Sequence, residues 1–465
     1  LNKKETSRGV YGKRTTLYDN YVFDKPKEDK FYSKEVYNYN QDIYNRDDSF
    51  WDTKRLEHLN KDEQGVYKML DTLKTVKKFK RLYNLGSILA SGYIEFNDVE
   101  GVRLRTGLRT YFGHNDLWRL EGFLAYGFDD NKFKFGISGK WLLDKKNRII
   151  ISGGNRRDIE QIGASLTSST DVLGRSLASS SALTTSINDK LTKINLTSLA
   201  LEIEPIKNVV FKIGGSYRTL ESASPTFSLD YYTTASRTTT ESQIHQYENA
   251  FSVSYFPQRK MTGFGVERLN ADDHFASLFA QVSRGDKSLL SSDFNYTKLQ
   301  FSYIQPWQLG GYGRLTTTVE TGKTFGEVPL GLLSVVPGNQ SYFSIYNTFS
   351  QLDYYEFVTD SYTTLHLEHN FNGRLFSRIP FLRKYNLREI IGIRGVWGDI
   401  SQGNKDLNAS GLVYVAPTNK MYYEYSFGVG NIFKVFRIDF NFRGNYLEKP
   451  NARKFAVTGS FGFYF

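Results

Sequence analysis

Few stretches of this chain hold side chains whose types and spacing could do chemistry. His366-Leu-Glu368-His369 is the one place where histidines and a carboxylate crowd together. A zinc hydrolase needs two histidines one helical turn apart on one face, with a glutamate between them. On a strand, His366 and Glu368 share a face and His369 does not, so the three do not converge on a metal. Gly322-Lys323-Thr324 imitates the end of a phosphate-binding loop, but Thr317 stands where the first glycine should be. A strand also precedes it where that chemistry needs a glycine-rich loop. No Gly-x-Ser-x-Gly elbow occurs, and His58, His114, His245 and His274 offer no serine–histidine spacing for nucleophilic catalysis. The chain has no cysteine, which excludes disulfides, thiol catalysis and cysteine-ligated metals. The expectation is a protein that is not an enzyme and that holds no cofactor and no metal.

The charged residues that remain sit inside segments with a period of two. Val102, Leu104, Thr106 and Leu108 alternate with Arg103, Arg105, Gly107 and Arg109. Trp118, Leu120, Leu124, Tyr126 and Phe128 oppose Arg119, Glu121 and Ala125. Phe133, Phe135, Ile137 and Trp141 oppose Lys132, Lys134, Ser138 and Lys140. Near the end, Phe436, Ile438, Phe440 and Phe442 oppose Arg437, Asp439, Asn441 and Arg443. These are two-faced strands. In a soluble sandwich the charged face would be outside, yet here the apolar face is unusually long and aromatic. A transmembrane barrel inverts the arrangement, with apolar residues on lipid and charges lining the lumen, where they keep water and opposite partners. The last stretch fits the same scheme: Phe455, Val457, Phe461, Phe463 and Phe465 share one face up to the final residue.

Composition agrees. The chain has 465 residues and a net charge of +11, with 32 Tyr, 35 Phe, 5 Trp and 39 Gly. No run approaches the ~18 apolar residues of a membrane-spanning helix, and aromatics are too frequent for a disordered chain. The excess of Lys and Arg alternates with apolar residues and does not form one basic, aromatic-stacked surface, so nucleic acid is not an expected partner.

Sixteen candidate strands follow, at about 85–96, 101–112, 117–128, 132–143, 147–156, 191–204, 207–219, 245–256, 274–283, 293–305, 311–325, 358–371, 387–398, 421–430, 433–446 and 453–465. With sixteen strands both termini fall on the periplasmic side, odd-numbered connections are external and long, and even-numbered ones are internal and short. The long connections 157–190, 220–244 and 326–357 are all odd. Glu204-Pro205-Ile206, Gln308-Leu309-Gly310 and Asn431-Ile432-Phe433 lie at even connections and are tight. The even connections 257–273 and 372–386 are longer than the rule prefers. The fold class is therefore all-β: a transmembrane antiparallel barrel of about sixteen strands over 83–465, after a short periplasmic segment, 1–82. That segment is polar and charged and reads as the remnant of an upstream domain or the linker from one. It holds one helix at about 60–80, capped by Asn60 with Glu63 reaching back. Val66, Met69, Leu70, Leu73 and Val76 lie on one side of it. The basic run from Lys74 to Arg81 suits lipid headgroups.

Several motifs resemble one family. They are Asp48-Ser-Phe50-Trp51, Asp98-Val-Glu100-Gly101-Val-Arg103-Leu, Arg119-Leu-Glu121-Gly-Phe-Leu-Ala-Tyr126-Gly and Lys323-Thr-Phe-Gly326-Glu-Val-Pro329. Pro337-Gly-Asn-Gln340, Tyr355-Glu-Phe-Val-Thr-Asp360 and Ser377-Arg-Ile-Pro-Phe-Leu-Arg383 complete the set. Together they resemble the large outer-membrane proteins of Bacteroidota, in which a non-catalytic carboxypeptidase-regulatory-like sandwich precedes a barrel domain of unknown function. Gly428-Val-Gly-Asn431-Ile-Phe433-Lys-Val-Phe436-Arg and the strand number are also similar to BamA-type, surface-antigen barrels. Those fold a Val-Arg-Gly-Phe/Tyr loop into the lumen. The loop at 326–357 has no Arg or Lys and holds Pro337, Gly338, Asn339 and Gln340 instead, so no functional residue is carried over.

The resemblance and the strand pattern together imply a bacterial outer-membrane protein in contact with lipopolysaccharide and phospholipid. Its expected role is as a subunit or accessory of an outer-membrane assembly or envelope-biogenesis complex, with other outer-membrane proteins or lipoproteins as partners. The alternatives are a solute channel and a passive scaffold whose surface loops bind partners. The expected lumen-facing charges are Arg103, Arg105, Arg109, Arg119, Glu121, Lys134, Glu368, Arg394, Glu424, Arg437, Asp439 and Arg443. Glu424 and Asp439 are expected to pair with Arg437 and Arg443. Strand 1 is expected to meet strand 16 at a seam where Gly86, Gly92, Gly459 and Gly462 either weaken the packing or relieve crowding in a curved sheet. Phe461, Phe463 and Phe465 form the terminal barrel signature.

Overall fold

The computed structural model describes residues 94–110, 116–162, 172–174, 188–449 and 452–462. Sixteen strands form one sheet: β1 (Ile94–Asn97), β2 (Gly101–Arg109), β3 (Trp118–Gly127), β4 (Lys132–Asp144), β5 (Ile149–Glu160), β6 (Thr192–Ile206), β7 (Val209–Ser222) and β8 (Gln243–Tyr255). They continue with β9 (Ser277–Gly285), β10 (Tyr296–Gln308), β11 (Arg314–Phe325), β12 (Ser361–Asn370), β13 (Arg388–Asp399), β14 (Tyr422–Ile432), β15 (Phe436–Arg443) and β16 (Phe455–Phe461). Each strand pairs antiparallel with the next in chain order. The number and the order are those expected from the alternation.

The two faces of the sheet are inverted relative to a soluble protein. Phe133 and Leu199 are 66 % and 61 % exposed, whereas Arg103 and Arg119 are 0 % and 1 % exposed. The period of two does this: Leu104 and Thr106 pair with Tyr126 and Leu124 on the outer face, while Arg103 and Arg105 turn inward. Trp118 faces Trp141 across β3 and β4, and Trp307 sits at the same end of the sheet. Aromatic residues banded at strand ends form the girdle of a lipid-facing surface. In water so much contiguous apolar surface would associate.

The largest buried apolar cluster among the described residues does not lie between two sheet faces. It sits at one end, where the odd-numbered connections pack together. Phe227, Leu229 and Tyr231 come from 223–242, Val328, Leu330, Leu332 and Val335 from 326–360, and Ile400 and Tyr414 from 400–421. Ile194, Leu220 and Ile244 at the strand ends complete it. That convergence places the odd connections on one side, as the parity expects.

At the other end the tight reversals are short. Asn208, at φ 63°, makes the turn between β6 and β7, a conformation asparagine tolerates. The two long even connections have separate fates. Residues 256–276 fold inward, where Arg148 donates to the Gly265 carbonyl at 3.0 Å and Asn208 to that of Arg259 at 2.9 Å. Residues 371–387 carry a short helix, Pro380–Arg383, over the strand ends.

Among the described residues no ladder joins β1 to β16, and the expected seam falls on residues 85–93 and 463–465, outside the described ones. Gly86, Gly92, Phe463, Phe465, most of the first expected strand, the segment 1–82 and its helix at 60–80 lie outside the described residues. On the inner face, charges such as Arg103 and Asp439 are fully buried, covered by neighbouring segments and ion-paired to Asp158 and Arg437.

Candidate functional site

The inner face is built from charged residues delivered by alternation, and three of the networks among the described residues bear on the connections that fold inward. In the first, Arg103 meets Glu95 at 3.0 Å, Glu100 at 3.0 Å and Asp158 at 2.7 Å. Lys134 meets Glu100 at 2.7 Å and Asp130 at 2.6 Å. A lone buried charge would cost several kcal/mol, and pairing is what makes this face tolerable. Arg105 is half-buried and stacks on Phe123 at 4.0 Å.

The second network is at the opposite end and centres on Glu267, from the inward-folded 256–276. Glu267 takes Arg109 at 2.9 Å and Lys140 at 3.6 Å, and it also contacts Arg119. Glu121 lies 3.7 Å from Arg109, and Arg119 is held by Asp116 at 2.8 Å. Arg268 pairs with Glu204 close by.

The third network anchors the connection 326–360. Arg437 joins Glu368 at 2.7 Å and Asp439 at 2.8 Å, as expected for Asp439. The expected partners of Glu424 are corrected. Arg443 turns to Glu356 at 2.7 Å, while Glu424 accepts the backbone N–H groups of Ser350 and Gln351 at 2.9 and 2.8 Å and the Tyr422 hydroxyl at 2.6 Å. Two adjacent amides aimed at one carboxylate satisfy it better than a distant cation. Arg394 reaches Ser350 Oγ at 3.0 Å and Asn441 at 3.2 Å, and lies 3.9 Å from Glu424.

The connection is thereby held inside as a plug. Pro337, Gly338, Asn339 and Gln340 are all buried. A Cβ on Gly338 would meet the Leu352 carbonyl at 2.5 Å, so only glycine fits that crossing. Asn339 donates to the Phe343 carbonyl at 2.8 Å, and Gln340 to Asp353 at 3.2 Å. Phe349, Leu352 and Phe357 pack with Val396 and Tyr422. Burial alone would raise the Glu356 carboxyl, but the Arg443 guanidinium and the Lys449 ammonium outweigh it and hold it below the usual range. Asp360, at the end of the plug, is likewise held low against burial by Ser401, Lys323 and Asn404.

The plug also reaches the last strand. The Gly459 N–H donates to the Tyr342 carbonyl at 2.7 Å, and the Ser344 N–H to the Gly459 carbonyl at 2.8 Å, a parallel bridge centred on Phe343. Arg453 ties the same loop down through the carbonyls of Asn339 and Leu352, at 3.0 and 2.7 Å. The edge of β16 is thus held, over one residue, by the protein's own loop. Gly462, just beyond β16, bonds back to Val435 at 2.8 Å, and the exposed Phe461 ring packs on Phe436.

The sequence singled out neither Glu267 nor Glu356 as site residues. Glu356 stands in a quoted motif, but nothing local marks it as the partner of Arg443. His366 lies against Phe349 inside and His369 stacks on Phe371 outside, which separates them as the alternation requires. Among the described residues no group of three or more His, Asp or Glu is arranged to hold a metal.

Comparison with known proteins gives one family match: the C-terminal domain of a family of unknown function (DUF5686), over residues 237–429. No curated protein matches the chain significantly. Among solved structures, BamA from Haemophilus ducreyi lacking POTRA domains 1–3 is similar at 10 % identity and a TM-score of 0.48, covering 79 % of this chain and 69 % of that one. CdiB from Acinetobacter baumannii is similar at 11 % identity and a TM-score of 0.38, covering 79 % and 57 %. Pseudomonas aeruginosa OccK10 (OpdN) is similar at 11 % identity and a TM-score of 0.32, covering 80 % and 96 %.

Proposed function

We propose that this chain is a non-enzymatic outer-membrane barrel protein that works as a subunit or accessory of an outer-membrane assembly or envelope-biogenesis complex. The inverted faces of the sheet support the membrane setting. The sequence resemblance to Bacteroidota proteins implies the cell envelope and an upstream carboxypeptidase-regulatory-like sandwich, and the even number of strands implies termini on the periplasmic side.

The observation that carries the assembly role is the edge of β16. A bare strand edge in lipid leaves N–H and C=O groups unsatisfied at several kcal/mol each. Here the edge is met over one residue by Tyr342–Ser344, the part of the plug whose Tyr342 and Phe343 side chains stand exposed outside its buried apolar clusters. An edge covered over only one residue leaves the rest of its length as a place where a strand from another chain can add. A channel is the less favoured reading, because connections fold inward from both ends.

The test is a lock. Phe343→Cys with Gly459→Cys, oxidised in cells, should fix the loop on the edge and impair outer-membrane protein assembly, with reductant restoring it. If the locked protein supports assembly as the unaltered one does, the edge has no such role. Steady conductance of the unaltered protein in a planar bilayer would favour the channel instead.

A further inference from the structure

The connection 371–387 is not absorbed by the function proposed above, and it has its own chemistry. From Phe371 to Arg388 there are five cations, Arg374, Arg378, Arg383, Lys384 and Arg388, and no Asp or Glu. Interleaved with them, Leu375, Ile379, Phe381 and Tyr385 are exposed apolar side chains, at 47 %, 47 %, 65 % and 51 %.

The segment is tied to the outer surface. Alternation on β12 and β13 puts Leu365, Ile393 and Trp397 outside, and Glu389 shares their parity. Glu389 accepts the N–H groups of Leu375 at 2.6 Å and Phe376 at 3.5 Å, which draws the segment over the lipid-facing side. Beside it lie His369, Phe371 and Tyr312, at the end of the sheet that also carries Trp307. This is the level of the aromatic girdle, where hydrocarbon gives way to headgroups.

Between this segment and the turn at 309–313 is a cavity of about 260 Å³. Arg374, Arg383 and Arg388 line it, together with Gly310, Gly311 and Gly373, and no carboxylate does. Arg374 is pre-positioned: it donates to the Gly311 carbonyl at 2.9 Å and stacks over Tyr312 at 4.2 Å. Pockets that hold drug-sized ligands are ~300–1,000 Å³, so this one suits a headgroup rather than a whole lipid. Arginine forks match phosphate oxygens bidentately. The flanking apolar side chains supply a surface for the acyl chains.

We propose that this pocket binds the phosphodiester headgroup of an anionic phospholipid in the adjacent leaflet. The site rests on the membrane reading but not on the assembly role.

The test uses the full chain in neutral detergent micelles, titrated with phosphatidylglycerol, phosphatidylcholine or inorganic phosphate, with binding read by native mass spectrometry and the thermal midpoint. Phosphatidylglycerol should bind and raise the midpoint, and the other two should do so far less. R374Q/R383Q/R388Q should weaken phosphatidylglycerol binding ten- to a hundredfold, on the order expected for three cations at an anionic surface. The charge-matched control K146Q/K207Q/K260Q should leave binding near that of the unaltered protein. If the glutamine variant does not fold, R374K/R383K/R388K keeps the charge and should still lose several-fold through the missing fork. Equal binding by that lysine variant, equal loss in the control, or equal stabilisation by inorganic phosphate would each overturn the proposal. A chain that stays monodisperse without detergent would instead sink the membrane reading beneath it.

Discussion

Replacing Glu424 with alanine should release the plug while leaving the sheet intact. The Glu424 carboxylate holds two backbone amides, Ser350 and Gln351, at 2.9 and 2.8 Å, and the Tyr422 hydroxyl at 2.6 Å. Each buried donor left without a partner costs ~1–3 kcal/mol. Three at the lower end make about 3 kcal/mol, and water entering the vacated space keeps the figure near that end. That corresponds to roughly a hundredfold in the opening equilibrium of the plug. Glu424→Gln keeps the shape and one acceptor oxygen but turns its NH2 toward an amide donor, so about half the effect is expected. Hydrogen exchange across 345–353, followed in detergent or nanodiscs, reads this directly, because local opening sets exchange rates there. The ladders of β13 to β15 should exchange as in the unaltered protein. Unchanged protection at Ser350 and Gln351 in Glu424→Ala would refute the anchor. Equal loss across β13 to β15 would show that the residue supports the sheet and not the plug.

Other outcomes follow from the same geometry. Arg103→Met strands Glu95, Glu100 and Asp158 inside and should cost roughly 3–5 kcal/mol, whereas Arg105→Ala, which loses a stack on Phe123, should cost about 1 kcal/mol. Equal shifts of the two unfolding midpoints would contradict the ion-pair account. Leu124→Arg, on the outer face, should destabilise the protein in lipid by ~2–4 kcal/mol, and unchanged folding into vesicles would count against a lipid contact there. The Glu356–Arg443 tie should respond to acid with a definite sign. Its carboxyl lies below the ordinary 4.5 in the folded state, so its contribution is complete at neutral pH and is lost only as pH falls below that value. Protease cleavage within 340–356 should therefore stay constant from pH 7 to about pH 5 and rise in stronger acid. A rise near neutrality would show that another group controls the plug.

The wall of the molecule was legible because strand alternation is a local property. Arg103 lies inside simply because Leu104 lies outside, and the same holds for Lys134 beside Phe133 and Asp439 beside Phe440. The odd and even connections were also separable by length, with 257–273 and 372–386 visible as exceptions. What those exceptions do was not legible. Glu267 meets Arg109 across 158 positions, and Glu356 meets Arg443 across 87. Such pairs form only after the sheet has curved and brought distant connections together. The partner of Glu424 was misjudged for a related reason. Arg443 sits directly across the ladder from it, but the plug supplies two closer donors whose position depends on the whole loop.

The central claim is that the apolar face of the sheet touches hydrocarbon. Tryptophan fluorescence in vesicles of brominated phospholipid tests it most directly, because Trp118, Trp141, Trp307 and Trp397 are all on that face, exposed by 47 %, 57 %, 46 % and 43 %. Bromines on the acyl chains should quench most of the emission, and aqueous acrylamide should quench little. Emission that brominated chains leave unchanged and acrylamide removes would place those indoles in water and contradict the account.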